Sequence, residues 1–107
     1  MVIVKMLKNK GKFLGFDIKG HVGKGEIVDN IVCAAVSSAA YMAVNTITNV
    51  VNAQARIHVD SSGGMFARIT SGYNQECDDI LKGLEIHLFE ISEENPNSIL
   101  MSSEEAI

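Results

Sequence analysis

Tryptophan is absent, proline occurs once, and cysteine only twice, at positions 33 and 77, in a chain of 107 residues. Two cysteines are too few for a disulfide framework, and both read as free thiols. With four Phe and two Tyr as the only aromatics, there is little from which to build a base-stacking platform. Basic residues are also scarce: nine Lys and Arg against thirteen Asp and Glu give a net charge of −4 and a pI near 5.2. That is the wrong sign for broad, phosphate-driven binding of nucleic acid, so any contact with RNA would have to be local and no direct nucleic-acid partner is expected. The longest weakly polar stretch, Ile31 to Val44, is interrupted by Ser37 and Ser38 and falls short of the roughly 20 residues of a membrane span. The first twelve residues do not read as a basic leader followed by an apolar run. A cytoplasmic protein without membrane association is expected.

What is present is the composition of a folded domain, 47% hydrophobic and 21% charged with nine glycines. The length suits one domain over residues 1–107, which would bury roughly two-thirds of its unfolded surface without a staple.

Residues 2–7 and 12–19 are apolar, β-branched or aromatic runs separated by Asn9-Lys10-Gly11, a hairpin turn sequence. From Ile31 to about Asn52 the period becomes helical. Ser38, Asn45, Asn49 and Asn52 share one face, while Val32, Val36, Ala43, Ile47 and Val50 fall opposite. Arg56 to Asp60 and Met65 to Thr70 alternate around Ser61-Ser62-Gly63-Gly64, a second hairpin. Residues 74–92 are helical again, with Cys77, Ile80, Leu81, Leu84, Leu88 and Ile91 along one line and Ile86 and Phe89 on the other side. Two large apolar groups on a solvent face suggest a partner surface, and a homodimer would supply one. Ser98 to Ser102 is a candidate edge strand ahead of an acidic, frayed tail. The expected fold is α+β, two β-hairpins and two helices in the order ββαββα with that strand as an optional addition, the helices packed on one face of the sheet.

One segment carries chemistry. A strand runs into Gly20-His21, a loop containing Gly23 and Gly25 follows, and Asp29-Asn30-Ile31-Val32-Cys33 opens a helix. A cysteine in a first helical turn feels unpaired N–H groups and the positive end of the helix dipole, both favouring thiolate. A nearby imidazole would lower the thiol pKa further and later protonate a leaving amine. Asn30 or Asp29 is the candidate N-cap. Ser37, one turn beyond Cys33, shares its face and has a supporting role. The Cys33 amide is a candidate oxyanion donor. Three glycines between residues 20 and 25 suit a flexible loop that closes over a bound peptide.

Gly20-His21, the glycine-containing loop and Ile31-Val32-Cys33-Ala34-Ala35-Val36-Ser37 resemble the signature of the ribosomal-processing cysteine protease family. The resemblance spans essentially the whole chain, although the motif itself runs only from Gly20 to Ser37. It implies a cysteine endopeptidase that removes a short N-terminal extension from a large-subunit ribosomal protein, acting as a homodimer. Carried over by position, Cys33 is the nucleophile and His21 the general base and acid. Asn30 departs from the family pattern, which usually has Asp there. It can orient an imidazole or cap the helix, but it supplies no full negative charge.

Other classes are less well furnished. His21, Cys33, His58 and Cys77 lack the close spacings of a zinc site, so neither metal nor cofactor is expected. The glycines lack the Lys-Ser/Thr ending of a phosphate loop. The absence of a Cys-x-x-Cys pair argues against redox work. Cys77 reads as core, His58 and His87 as exposed structural residues, and Glu76, Asp78 and Asp79 as acids placed for the helix dipole. The alternative function is a non-catalytic dimeric module that binds the ribosome or an assembly partner.

Overall fold

The computed structural model describes residues 1–20, 27–61 and 63–106, with the backbone alone for residues 27–29. Strand β1 (Val2–Asn9) and strand β2 (Lys12–Gly20) form the first hairpin, and helix α1 (Ile27–Asn45) runs directly into a π-helical segment, Thr46–Val50. Strand β3 (Gln54–Val59) and strand β4 (Met65–Ser71) form the second hairpin, followed by helix α2 (Gln75–Glu94) and strand β5 (Ile99–Glu105). The sheet order is β3-β4-β2-β1-β5. This is the expected α+β architecture, with the last strand present at an edge of the sheet.

The first turn follows from its residues. Lys10 and Gly11 have φ of 51° and 79°, the pair of positive values that lets a two-residue turn match the twist of its strands. On the face covered by the helices, Val4 and Met6 of β1 pair with Ile18 and Phe16 of β2, and these in turn with Met65 and Ala67 of β4. All six are buried. Above them lie Val32, Val36, Ala40, Ala43 and Val44 of α1 and Cys77, Leu81, Leu84 and Leu88 of α2. Close approach of β2 to β4 depends on Gly15, where an added Cβ would stand 2.0 Å from the Ala67 carbonyl oxygen.

Several expectations are corrected. Helix α1 begins at Ile27 rather than near Ile31, because Ile27 and Val28 stand one turn before Ile31 and Val32 and extend the same apolar spacing. The helix does not continue uniformly to Asn52. The wide π-turn at its end changes the angular phase, so Val50 is 72% exposed while Ile47 stays buried. Taken as one run, Asn30–Val50 is long and apolar enough to cross a membrane by length and composition, although Ser37 and Ser38 argue otherwise in the sequence. Its Val32, Val36, Ala40, Ala43, Val44 and Ile47 belong to the core of this domain. The second hairpin forms as expected, with Ile57 and Val59 43% and 45% exposed on its edge strand β3. The acidic tail is not frayed: β5 lies parallel to β1 in register from Val2↔Ile99 to Lys8↔Glu105, with Lys5 3.5 Å from Glu104.

Helix α2 is fixed at its start by Asn74, whose side chain accepts from the Cys77 amide at 3.2 Å, as an N-cap does. One turn in, Asp78 is 1% exposed. Its Oδ1 accepts from the Phe13 amide at 2.8 Å, and its Oδ2 meets Lys82 Nζ at 2.8 Å and Gln75 Nε2 at 3.3 Å. Burial pushes the Asp78 carboxyl pKa up, but the hydrogen bond and charge of Lys82, the Phe13 amide and Gln75 together outweigh it, and the net shift is downward from 3.8. A depressed folded-state pKa means that this stabilisation is fully present above 3.8 and is lost as pH falls through the still lower folded value. Replacing Asp78 by Ala leaves the Phe13 N–H unsatisfied and should cost about 1–3 kcal/mol in urea unfolding at neutral pH. Asn, which keeps an acceptor, should cost less, and the gap between wild type and both variants should narrow below pH 3.8.

Candidate active site

Cys33 lies in α1 and is half-buried, packed against the core from its margin. Its side of the helix borders a cleft of about 180 Å³ lined by Val2 and Ile18 of the first hairpin, Gly20 at the end of β2, Ala34, Val36 and Ser37 of α1, and Gly63 of the β3–β4 turn. That volume is below the usual range for small-ligand pockets and suits a single side chain. The walls nearest the thiol are apolar, which favours an apolar guest.

The structure brings Cys33, Ser37 and Gly20 to one cleft. It does not gather the other expected residues there. Asn30 is exposed on α1, and as the fourth residue of a helix starting at Ile27 it cannot be the N-cap; neither can Asp29, whose side chain is not described. His21, Gly23 and Gly25 lie outside the described residues. The start at Ile27 also moves Cys33 into the second turn. There its amide belongs to the ladder of bonds reaching four residues back, so it is not a free oxyanion donor, and the dipole effect, confined to the first turn, is weak.

Residues the sequence reading missed at this site are Val2, Ile18, Val36 and Gly63. Strand alternation placed Ile18 on a dry face, but only the tertiary arrangement puts it beside a thiol 15 positions away. Gly63 was legible as a turn residue and not as part of a cleft. Gly64 beside it is buried, and a Cβ there would stand 2.7 Å from the Asp60 carboxylate and 2.9 Å from the Ile18 carbonyl oxygen. The Asp60 Oδ1 accepts from the Gly64 amide at 2.9 Å, and this closes the turn on itself. Cys77, by contrast, is fully buried as expected. No group of three His, Cys, Asp or Glu placed to hold a metal occurs among the described residues.

An α+β domain with one buried thiol and one at an apolar cleft, the latter on a helix that follows Gly20-His21 in the sequence, has the form of a cysteine hydrolase. The comparisons with known proteins agree. The profile of the family described as cysteine protease Prp matches residues 1–100, and the chain belongs to that family. It is 31% identical over 104 residues to the ribosomal processing cysteine protease Prp of Staphylococcus aureus, covering 95% of this chain and 98% of that protein. Crystal structures of the essential S. aureus ribosomal processing protease Prp superpose with TM-scores of 0.85, as the complex with a substrate peptide, and 0.84, as the complex with a covalently linked product peptide. They are 29% and 28% identical to this chain, covering 97% of it and the whole of each structure. The fold is also that of SMU.848 from Streptococcus mutans, with a TM-score of 0.85 at 21% identity, covering 99% of this chain and 96% of that one. The protein is thus an enzyme of the cysteine protease class.

The two thiols should be distinguishable without substrate. Cys33, half-exposed at its cleft, should be alkylated by iodoacetamide in the native protein, whereas Cys77, with 0% exposure, should react only after unfolding. Equal and slow labelling of both, followed by mass spectrometry, would contradict this assignment.

Proposed function

We propose that this enzyme is an endopeptidase that removes a short N-terminal extension from a large-subunit ribosomal protein, with Cys33 as nucleophile and His21 as general base and acid. The observation that carries the reading is the thiol itself. Cys33 borders a cleft whose far wall includes Gly20, one peptide bond from His21. In the first step His21 takes the thiol proton and the sulfur attacks the scissile carbonyl. Collapse of the tetrahedral adduct breaks the C–N bond, and His21 returns the proton to the departing amine, leaving a thioester. Water, deprotonated by His21, then attacks the thioester and releases the carboxylate and the thiol. The protein acts in the cytoplasm and needs neither metal nor cofactor. Asn30 orients His21, and Ser37 supports the thiol from one turn away.

The S. aureus relative named for ribosomal processing, and its structures with peptides, support the choice of substrate. N-terminal peptides of the host's large-subunit ribosomal proteins, incubated with wild type and with Cys33→Ala and read by mass spectrometry, should give cleavage at one bond of one peptide. That cleavage should be absent in the variant and fall at least a hundredfold in His21→Ala. No cleavage by well-folded wild type would favour the non-catalytic binding module.

A homodimer is proposed as the working unit. On α2, Ile86 and Phe89 are 58% and 53% exposed and, with Met101 of β5, line a groove of about 600 Å³. Large apolar groups gathered in this way are what an interface buries. Phe89→Asp should shift the sedimentation coefficient from dimer to monomer, and an unchanged value would rule this face out.

A further inference from the structure

Strand β2 is longer than the strand beside it. On the β1 side its ladder runs to Gly20, opposite Val2, but on the β4 side it stops at Ile18, opposite Met65. Lys19 and Gly20 therefore project past the end of β4 with one flank that no described strand pairs, and Gly20 does so at the cleft that Cys33 borders.

Two observations settle which backbone groups face that open flank. The Ile18 carbonyl points to the β4 side, since it lies 2.9 Å from the position of a Cβ on Gly64, the residue preceding β4. Strand groups alternate in direction, so Gly20 turns its N–H and C=O the same way as Ile18. Independently, the Val2 amide donates to Ser98 on the β5 side at 2.8 Å. That makes Val2↔Gly20 a pair without mutual hydrogen bonds and again directs the Gly20 groups away from β1. No hydrogen bond among the described residues reaches Gly20 from that flank. Gly63, across the opening, has no side chain, and a Cβ there would meet nothing within 4 Å.

Resting on the protease reading, we infer that the substrate peptide is held as a short added strand, one of its residues exchanging two backbone hydrogen bonds with the N–H and C=O of Gly20. Peptide binding by strand addition draws its affinity from main-chain bonds and its specificity from alternate side chains. Directly opposed residues project to the same face of a sheet. The substrate side chain paired with Gly20 therefore falls on the face of Val2 and Ile18, inside the cleft, and the absence of a side chain on Gly20 leaves room for it. The two neighbouring substrate residues project to the opposite face and turn their amides away from β2. Gly20 thus selects register, and Val2, Ile18 and Val36 select an apolar residue at one position.

The test leaves the protein's own fold untouched. Starting from the ribosomal-protein peptide that wild type cleaves fastest, a set carrying a single N-methyl group at each position around the scissile bond is titrated against Cys33→Ala by fluorescence anisotropy. Methylation at one position should weaken binding at least tenfold, methylation at both of its neighbours should change it less than threefold, and an Asp at that same position should also weaken it at least tenfold. Uniform tolerance, or loss at consecutive positions, would overturn strand addition at Gly20 while cleavage of the unmodified peptide still upheld the protease. An unmodified peptide neither bound nor cleaved would overturn both.

Discussion

Among the described residues the interior contains one charged group, the Asp78 carboxylate, and the seating of α2 over the sheet depends on how it is satisfied. Leaving a carboxylate out of water without partners costs several kcal/mol. Asp78 avoids this only where the Phe13 amide, Lys82 and Gln75 all reach it, which holds the first turns of α2 over the start of β2. Gln75 extends the tie to the tip of the first hairpin by accepting from Lys12 at 2.9 Å. Once α2 is seated, Leu81, Leu84 and Leu88 fill the space under it, and α1 has a wall to lean on. Cys33 reaches its cleft because α1 is held between that wall and the strands.

The cleft in turn is a product of mismatched lengths. Strand β2 reaches two residues beyond its pairing with β4, and the β3–β4 turn is closed by Asp60 and by the two glycines that follow. Among the described residues neither element fills that corner. This is an economical way to set a thiol next to backbone that no described strand pairs, since it needs no separate binding domain and no long loop from the described part of the chain.

Much of this was legible in the sequence, for local reasons. Hairpins declare themselves through alternation and turn residues, and Lys10-Gly11 adopts the conformation its composition suggests. The long helices follow from apolar spacing, and the edge strand from Ile99-Leu100-Met101. What escaped was set by tertiary arrangement. Asp78 reads as one more acid at a helix start, because its partner at Phe13 is 65 positions away. Asn30 reads as a cap because it is a good one, yet helical spacing persists upstream to Ile27. Of the site, Cys33 and Gly20 could be found from the motif, whereas Gly63 and Val2 came to the cleft only through the sheet.

The parallel pairing of β5 with β1 bears on the order in which the domain can form during synthesis. β1 leaves the ribosome before the other strands and β5 after them, so β1 carries an open hydrogen-bonding edge until β5 emerges. Contacts of such high sequence separation close late, and an exposed strand edge invites pairing with other chains. The lysines at positions 5 and 8, which later face the acidic residues of β5, would make that edge self-repelling while it waits.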